Sequence, residues 1–140
     1  MIRDYKEKDA EDVMTLWLEA QNIAHPFLEE DFVSKVKIMM KEQFIPNSKT
    51  WVYEQDKHVI GFIAMMNNEI GGLFVNPTEQ SKGIGTQLLK FASQFHEELE
   101  VEVFDENKIG KPFYIKQGFI EISNYTHEET NQKVIRMQLK

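Results

Sequence analysis

A mixed β-sheet flanked by helices, an α/β (α+β) fold, is predicted for this chain by three observations. Apolar residues recur at helical spacing before residue 50. From Trp51 the period changes to that of strands, and strand and helix patterns then interleave to the end. The 140 residues carry no internal repeat, low-complexity stretch or linker, so one domain over residues 1–140 is expected.

Taken in order, Ile2 opens a short strand. Asp9 stands where it can cap a helix whose apolar residues Val13, Leu16, Trp17 and Ala20 follow i, i+3, i+4, i+7. His25-Pro26-Phe27 breaks that helix. A second amphipathic segment presents Phe32, Val36 and Met39 or Met40 on one face and is expected to end before Pro46. Trp51-Val52-Tyr53 and Val59 to Met66, joined by the polar turn Gln55-Asp56-Lys57, read as a hairpin. Glu69 to Val75 is a third strand. Its Gly71-Gly72 pair predicts a bulge or the close approach of another backbone.

After Pro77 a loop leads into a helix with Leu88, Leu89, Phe91, Ala92 and Phe95 on its buried side. Leu99, Val101 and Val103 alternate with Glu100 and Glu102, as a half-buried strand requires. A short helix near Phe113-Tyr114 precedes two last strands, Phe119 to Thr126 and Lys133 to Leu139. The predicted order is β-α-α-β-β-β-α-β-α-β-β.

Composition removes several chemistries. The absence of cysteine excludes a disulfide scaffold, a thiolate nucleophile, an iron–sulfur cluster and any zinc site built on sulfur. His96-Glu97-Glu98 and His127-Glu128-Glu129 lack a second histidine one turn on, so no metal is expected. A net charge of −7 argues against a nucleic-acid partner and leaves a cationic amine open, although such charge also serves solubility. The longest apolar run, Val59 to Met66, is too short for a membrane span. Met1 to Glu7 has no signal-peptide character, and a cytoplasmic protein is expected.

The chemistry-bearing segment is Leu73 to Thr86: a strand, a polar loop, Gly83 and Gly85, then an apolar-periodic helix. A helix N-terminus leaves its first N–H groups unpaired and turns its positive dipole end toward the loop. Glycines let the backbone approach an anion, and Lys82 and Thr86 can add donors, so a diphosphate cradle is expected. Two glycines ahead of a helix also make an ordinary capping turn. A dinucleotide site is disfavoured because position 88, where its third glycine belongs, is Leu88. The Lys-Ser/Thr ending of a nucleotide-triphosphate loop is absent as well.

Gln80-x-x-Gly83-x-Gly85 after a Leu-Phe-Val strand resembles the acyl-CoA-binding motif of the GNAT N-acetyltransferases. Asn107 followed by Phe113-Tyr114-Ile115-Lys116-Gln117-Gly118-Phe119 resembles the family's terminal signature. Leu16-Trp17-Leu18, Ala24-His25-Pro26-Phe27-Leu28, Thr50-Trp51-Val52 and Gly72-Leu73-Phe74-Val75 are similar to the small bacterial YiaC/YjaB-type acetyltransferases, a peptidyl-lysine group. The resemblance spans the chain and implies the GNAT acyl-CoA N-acyltransferase fold.

It also implies roles. Phe74 and Val75 would offer backbone groups to the pantetheine arm of acetyl-CoA. The N–H groups of Gln80, Ser81, Lys82, Gly83, Ile84, Gly85 and Thr86 would hold the pyrophosphate, and Asn107 would bond the pantetheine amide region. Tyr114 would lie near the thioester sulfur and protonate the departing thiolate, which suits a phenol of pKa about 10. Its bland alternative is an aromatic packed under the sheet. The oxyanion would meet backbone N–H near Val75.

The family's usual Ala, three residues after the Asn, is Gly110 here, and Pro112 follows. The reading therefore requires a helix that starts near Gly110, with Pro112 in its first turn.

The resemblance implies a primary amine as acceptor, on a protein lysine, a protein amino terminus, a polyamine or another small molecule. His25, Glu69, Glu102 and His127 are candidate bases. His25 is favoured because it lies between the two amino-terminal helices, with Phe27 as a second acceptor-side residue. A non-catalytic acyl-CoA sensor is the rival from another class. A monomer or homodimer is expected.

Overall fold

The computed structural model describes residues 1–140, and one seven-stranded sheet runs through them in the order β1-β2-β3-β4-β5-β7-β6. The strands are β1 (Ile2–Asp4), β2 (Lys49–Gln55), β3 (His58–Met66), β4 (Glu69–Val75), β5 (Leu99–Phe104), β6 (Ile120–His127) and β7 (Gln132–Leu139). The helices are α1 (Ala10–Ala24), α2 (Glu30–Met39), α3 (Ile45–Asn47), α4 (Ile84–Ser93) and α5 (Gly110–Lys116). This is the predicted order with one short helix, α3, added between α2 and β2. β4 and β5 run parallel, and every other pairing is antiparallel.

Both faces of the central strands are covered, which explains the unbroken apolar run of β3. Phe62 and Ile63 point to opposite faces, and each is 0% exposed. On one face Ile63, Val101 and Ile135 pack with Leu88 and Ala92 of α4. On the other, Val52, Phe62 and Ala64 meet Val13 and Trp17 of α1 and Val33 of α2. β5 turns Leu99, Val101 and Val103 into the α4 core, so its alternate residues Glu100 and Glu102 lie on the α1–α2 side. The β2–β3 hairpin turns on Asp56 and Lys57 at φ 53° and 67°, the pair of left-handed residues that suits the strand twist.

Three local expectations, at Pro46, Asp9 and Phe95, are corrected, and the choice between Met39 and Met40 is resolved. Pro46 does not follow the helix end: α2 passes through a π-helical turn, Met40–Phe44, into α3. Pro46 lies in the first turn of α3, where its missing N–H costs little. Of the two methionines, Met40 is buried and Met39 exposed. Asp9 does not cap α1. Its carboxylate takes two bonds from the Arg3 guanidinium (2.8 and 2.9 Å) and one from the Lys6 N–H (2.8 Å), tying the 3-10 turn Glu7–Asp9 to β1. Phe95 lies beyond the end of α4, exposed, and stacks on Trp51 at 5.3 Å.

Gly71 is the extra residue of the expected bulge, since Ala64 pairs Gly72 while Met65 pairs Ile70. What comes close is a ring: a Cβ on Gly71 would stand 1.8 Å from Phe44 Cζ. Past this point the sheet opens. The β4–β5 pairing holds only Glu69 to Glu100 and Ile70 to Val101. From Gly71 to Val75, β4 bonds to β3 on one side and leaves its other edge to a cavity.

Candidate active site

The cavity, about 800 Å³, lies between the carboxyl-terminal ends of the two parallel strands. Gly71–Val75 and Val101–Phe104 form its sides, the 79–86 loop and α4 close one end, and α5 lines it with Phe113 and Tyr114. The remaining wall is α1 and α2, mostly apolar, through Trp17, Phe32, Val36 and Met39. Such a crevice arises at the point where a parallel pair diverges.

The loop ahead of α4 leaves a run of main-chain donors unpaired. None of the backbone N–H groups from Gln80 to Thr86 meets a protein acceptor; the helical ladder starts with the Gln87 N–H on the Gly83 carbonyl, at 3.0 Å. Ser81 and Gly83 are left-handed, at φ 72° and 82°, which turns successive N–H groups toward one concavity. The N-terminus of α4 adds its dipole. At Gly85 a Cβ would make ordinary contact with the Phe113 ring, at 3.4 Å.

The side chains of this loop serve each other. Lys82 Nζ pairs with Glu79 at 2.8 Å, Gln80 Nε2 donates to the Val75 carbonyl at 3.2 Å, and Thr86 Oγ1 accepts from Gln117 Nε2 at 3.0 Å. The main-chain N–H groups of the loop stay free of protein acceptors.

α5 begins at Gly110, with Pro112 in its first turn. Tyr114 is buried among Phe113 and Phe119, whose rings meet it edge-on at 5.3 and 5.2 Å. Its side chain lines the cavity, and no protein group bonds its hydroxyl. Burial pushes the phenol well above its ordinary pKa of 10, so it is protonated throughout the neutral range. Tyr114 is thus both a core aromatic and a cavity group.

Asn107 is buried, and its carbonyl oxygen accepts from the N–H groups of Ile109 (3.0 Å) and Gly110 (2.7 Å) at the head of α5. Its Nδ2 lies 3.1 Å from His25 Nε2. An asparagine offers two lone pairs and two N–H donors, so one N–H is left for any ligand. His25 is packed edge-on between Phe27 (5.8 Å) and Phe104 (5.1 Å). Desolvation lowers its pKa from 6.5 to about 4, and its Nδ1 lies 3.3 Å from Gln21 Oε1. Both ring nitrogens are therefore engaged, which is poor provision for a base.

Of the other candidate bases, Glu102 lines the cavity, and Glu69 and His127 do not. Glu102 accepts from the Tyr125 hydroxyl (2.8 Å) and from Arg136 Nη1 (3.2 Å). Glu69 is held by Arg136 at 3.4 Å, and His127 Nδ1 accepts from the Thr130 N–H at 3.3 Å. Burial and the bond to Glu102 raise the Tyr125 phenol to about 12. No three His, Asp or Glu side chains converge as metal ligands would. No helix is long and apolar enough to cross a membrane.

Gln21 was not foreseen, though it stands one turn before His25 on α1. The partners of Glu102 and the Gln117–Thr86 bond join distant segments and leave no local signal.

The family model for the acetyltransferase (GNAT) domain matches residues 2–140. The peptidyl-lysine N-acetyltransferase YiaC of Escherichia coli (strain K12) is 29% identical over 131 residues, covering 93% of this chain and 90% of that one. In solved structures, apo-form YjaB from Escherichia coli superposes with a TM-score of 0.87 at 20% identity, over 99% of this chain and 95% of the other. The PaiA N-acetyltransferase from Thermoplasma acidophilum, in complex with coenzyme A, gives a TM-score of 0.80 at 20% identity, over 99% and 98%.

Proposed function

The chain belongs to the GNAT acetyltransferase family, and from that premise we propose that it transfers an acetyl group from acetyl-CoA directly to a primary amine, a protein lysine side chain first among acceptors. One observation carries this reading: a single cavity has unpaired backbone donors at one end and the Tyr114 phenol within it. Acetyl-CoA supplies the activated thioester. The N–H groups from Gln80 to Thr86 hold its pyrophosphate, the free edge of β4 at Phe74 and Val75 holds the pantetheine arm, and Asn107 gives that arm its one spare N–H.

On the acceptor side, the apolar wall of α1 and α2 suits a methylene stem, and Glu102 suits the ammonium at its end. Among charged side chains lining the cavity, Glu79 belongs to the cradle and Lys116 to α5, which leaves Glu102 facing the acceptor. Glu102 takes the ammonium proton, directly or through water. The freed nitrogen pair attacks the thioester carbonyl carbon, and a backbone N–H near Val75 holds the oxygen as it gains charge. The carbon–sulfur bond then breaks, Tyr114 donates its proton to the thiolate, and the second proton of the nitrogen returns through water to the Tyr114 phenolate, which leaves a neutral amide and a restored phenol. Cysteine is absent, so no acyl-cysteine intermediate intervenes. The whole chain belongs to this one acetyltransferase domain.

The test uses Tyr114→Phe. Calorimetry with CoA should show unchanged affinity, and thiol release with a lysine peptide as acceptor should fall about a hundredfold or more. Full turnover in that variant removes the role given to Tyr114. Binding of CoA without thiol release by the wild type, across a panel of amines, would favour the sensor.

A further inference from the structure

His25 is a titratable group in this cavity that the reaction leaves without a task. It belongs to a chain of side chains that joins the acceptor wall to the cofactor floor across 82 residues of sequence. The chain has one direction. Asn107 Oδ1 is committed to the N–H groups of Ile109 and Gly110, so its Nδ2 is what faces the imidazole. His25 Nε2 must therefore accept, which puts the ring proton on Nδ1, toward Gln21 Oε1. Gln21 is oriented to match, since its Nε2 donates to Asn22 Oδ1 at 2.6 Å. A proton on Nε2 would set donor against donor.

The link bears on Tyr114 through α5. Asn107 anchors Gly110, the first residue of that helix, and Tyr114 follows one turn later at i+4, on the same side. The packing at the anchor leaves no slack: a Cβ on Gly110 would stand 2.5 Å from Asn107 Nδ2. We propose that His25 is a positioning residue, whose neutral imidazole holds the Asn107 amide and through it fixes the start of α5 and the place of Tyr114 in the cavity. The proposal rests on the reading of Tyr114 as the acid. It assigns His25 no proton transfer. Small misplacements of a catalytic group cost as much as a hundredfold in rate, so loss of the acceptor atom at residue 25 should lower kcat about tenfold to a hundredfold.

Two variants of the full chain separate the hydrogen bond from ring packing. His25→Phe keeps a ring against Phe27 and Phe104 and removes the acceptor atom. His25→Gln removes the ring and restores an acceptor oxygen toward Asn107. With acetyl-CoA and a lysine peptide, His25→Phe should lose kcat with little change in the acceptor KM, and His25→Gln should recover most of it. The reverse order, or equal activity in both, overturns the proposal.

A second measurement needs no acceptor. Nitrogen-15 spectra of the wild type at neutral pH should show a neutral imidazole protonated at Nδ1, and His25→Phe should shift the amide signals of Ile109 and Gly110. An Nε2–H tautomer, or unmoved amides, overturns the link. Tyr114→Phe is assayed alongside. Full activity there defeats the reading of the acid, and the spectra still decide whether His25 holds Asn107.

Discussion

Acidification should unfold this protein earlier than its carboxylates require, because of His25. In the folded chain the imidazole faces Gln21, Asn107 and the rings of Phe27 and Phe104. No charged group contributes to the burial that takes its pKa from 6.5 to about 4. A depressed histidine favours the folded state only while both states are neutral. Its contribution is complete above about pH 6.5 and is lost as pH falls toward 4, because the unfolded chain takes up the proton first. At pH 5 the unfolded imidazole is almost fully charged and the folded one only about a tenth so. The loss relative to pH 8 is then about 2 kcal/mol, approaching about 3 kcal/mol below pH 4. That is a large part of an ordinary stability of 5–15 kcal/mol.

Urea unfolding at fixed intervals from pH 8 to 4.5 measures it, with His25→Gln as the reference that carries no titrating group. Asp9 and Asp105, held below the usual carboxylate range by Arg3 and Lys111, lose their contributions at lower pH and do so in both proteins. The wild-type curve should therefore fall away from that of His25→Gln between pH 6.5 and 5. Parallel curves through that interval would mean that the imidazole takes up its proton freely, and the hydrogen-bond directions drawn for Asn107 would be wrong.

Three further outcomes follow from single contacts. Gly71→Ala puts a methyl into the Phe44 ring and should cost about 1–3 kcal/mol by overpacking, with part of the loss recovered in Gly71→Ala/Phe44→Ala; a urea double-mutant cycle reads the coupling. Gly83→Ala meets nothing within 4 Å, so its cost is the left-handed backbone alone, about 1 kcal/mol, and calorimetry should show weaker CoA binding with the acceptor KM unmoved. Asp9→Ala leaves the largely buried Arg3 guanidinium and the Lys6 N–H without their carboxylate and should cost about 3 kcal/mol in thermal or urea unfolding, although the site lies far away.

What was legible in the sequence was whatever local periodicity carries. The alternation of Leu99, Val101 and Val103 with Glu100 and Glu102, and the helical spacing of Leu88 and Ala92, reappear as buried faces because one side of each element must leave water. The turn into α4 was legible too, since a polar loop with Gly83 and Gly85 before an apolar-periodic helix carries its own signature. Pairings between distant residues were not. Asp9 reads as a cap because Asp before a helix usually is one, and only the fold brings Arg3 to it. Pro46 reads as a stop because a π turn, which moves it into a fresh first turn, has no sequence mark. His25 reads as a candidate base, and its contacts with Asn107 and Gln21, at 3.1 and 3.3 Å, come from the fold and have no mark in the sequence.

The net charge of −7 looks unfavourable for binding a polyphosphate, and the site shows how a chain of this composition can manage it. Lys82, the loop's own cation, is matched by Glu79, so charge along the loop nearly cancels. What remains is main-chain N–H, oriented by Ser81, Gly83 and the first turn of α4. Such dipoles act over a few ångströms, whereas net charge acts over a Debye length of about 8 Å at physiological salt. The two therefore do not compete at the same distance. Long-range repulsion slows the approach of an anion, and the cradle decides whether it stays. Toward a cationic acceptor the same net charge helps at long range, and Glu102 continues the attraction inside the cavity. Under the proposed function, one acidic surface would thus serve a cofactor and an acceptor of opposite sign, because backbone would hold the cofactor and a side chain the acceptor.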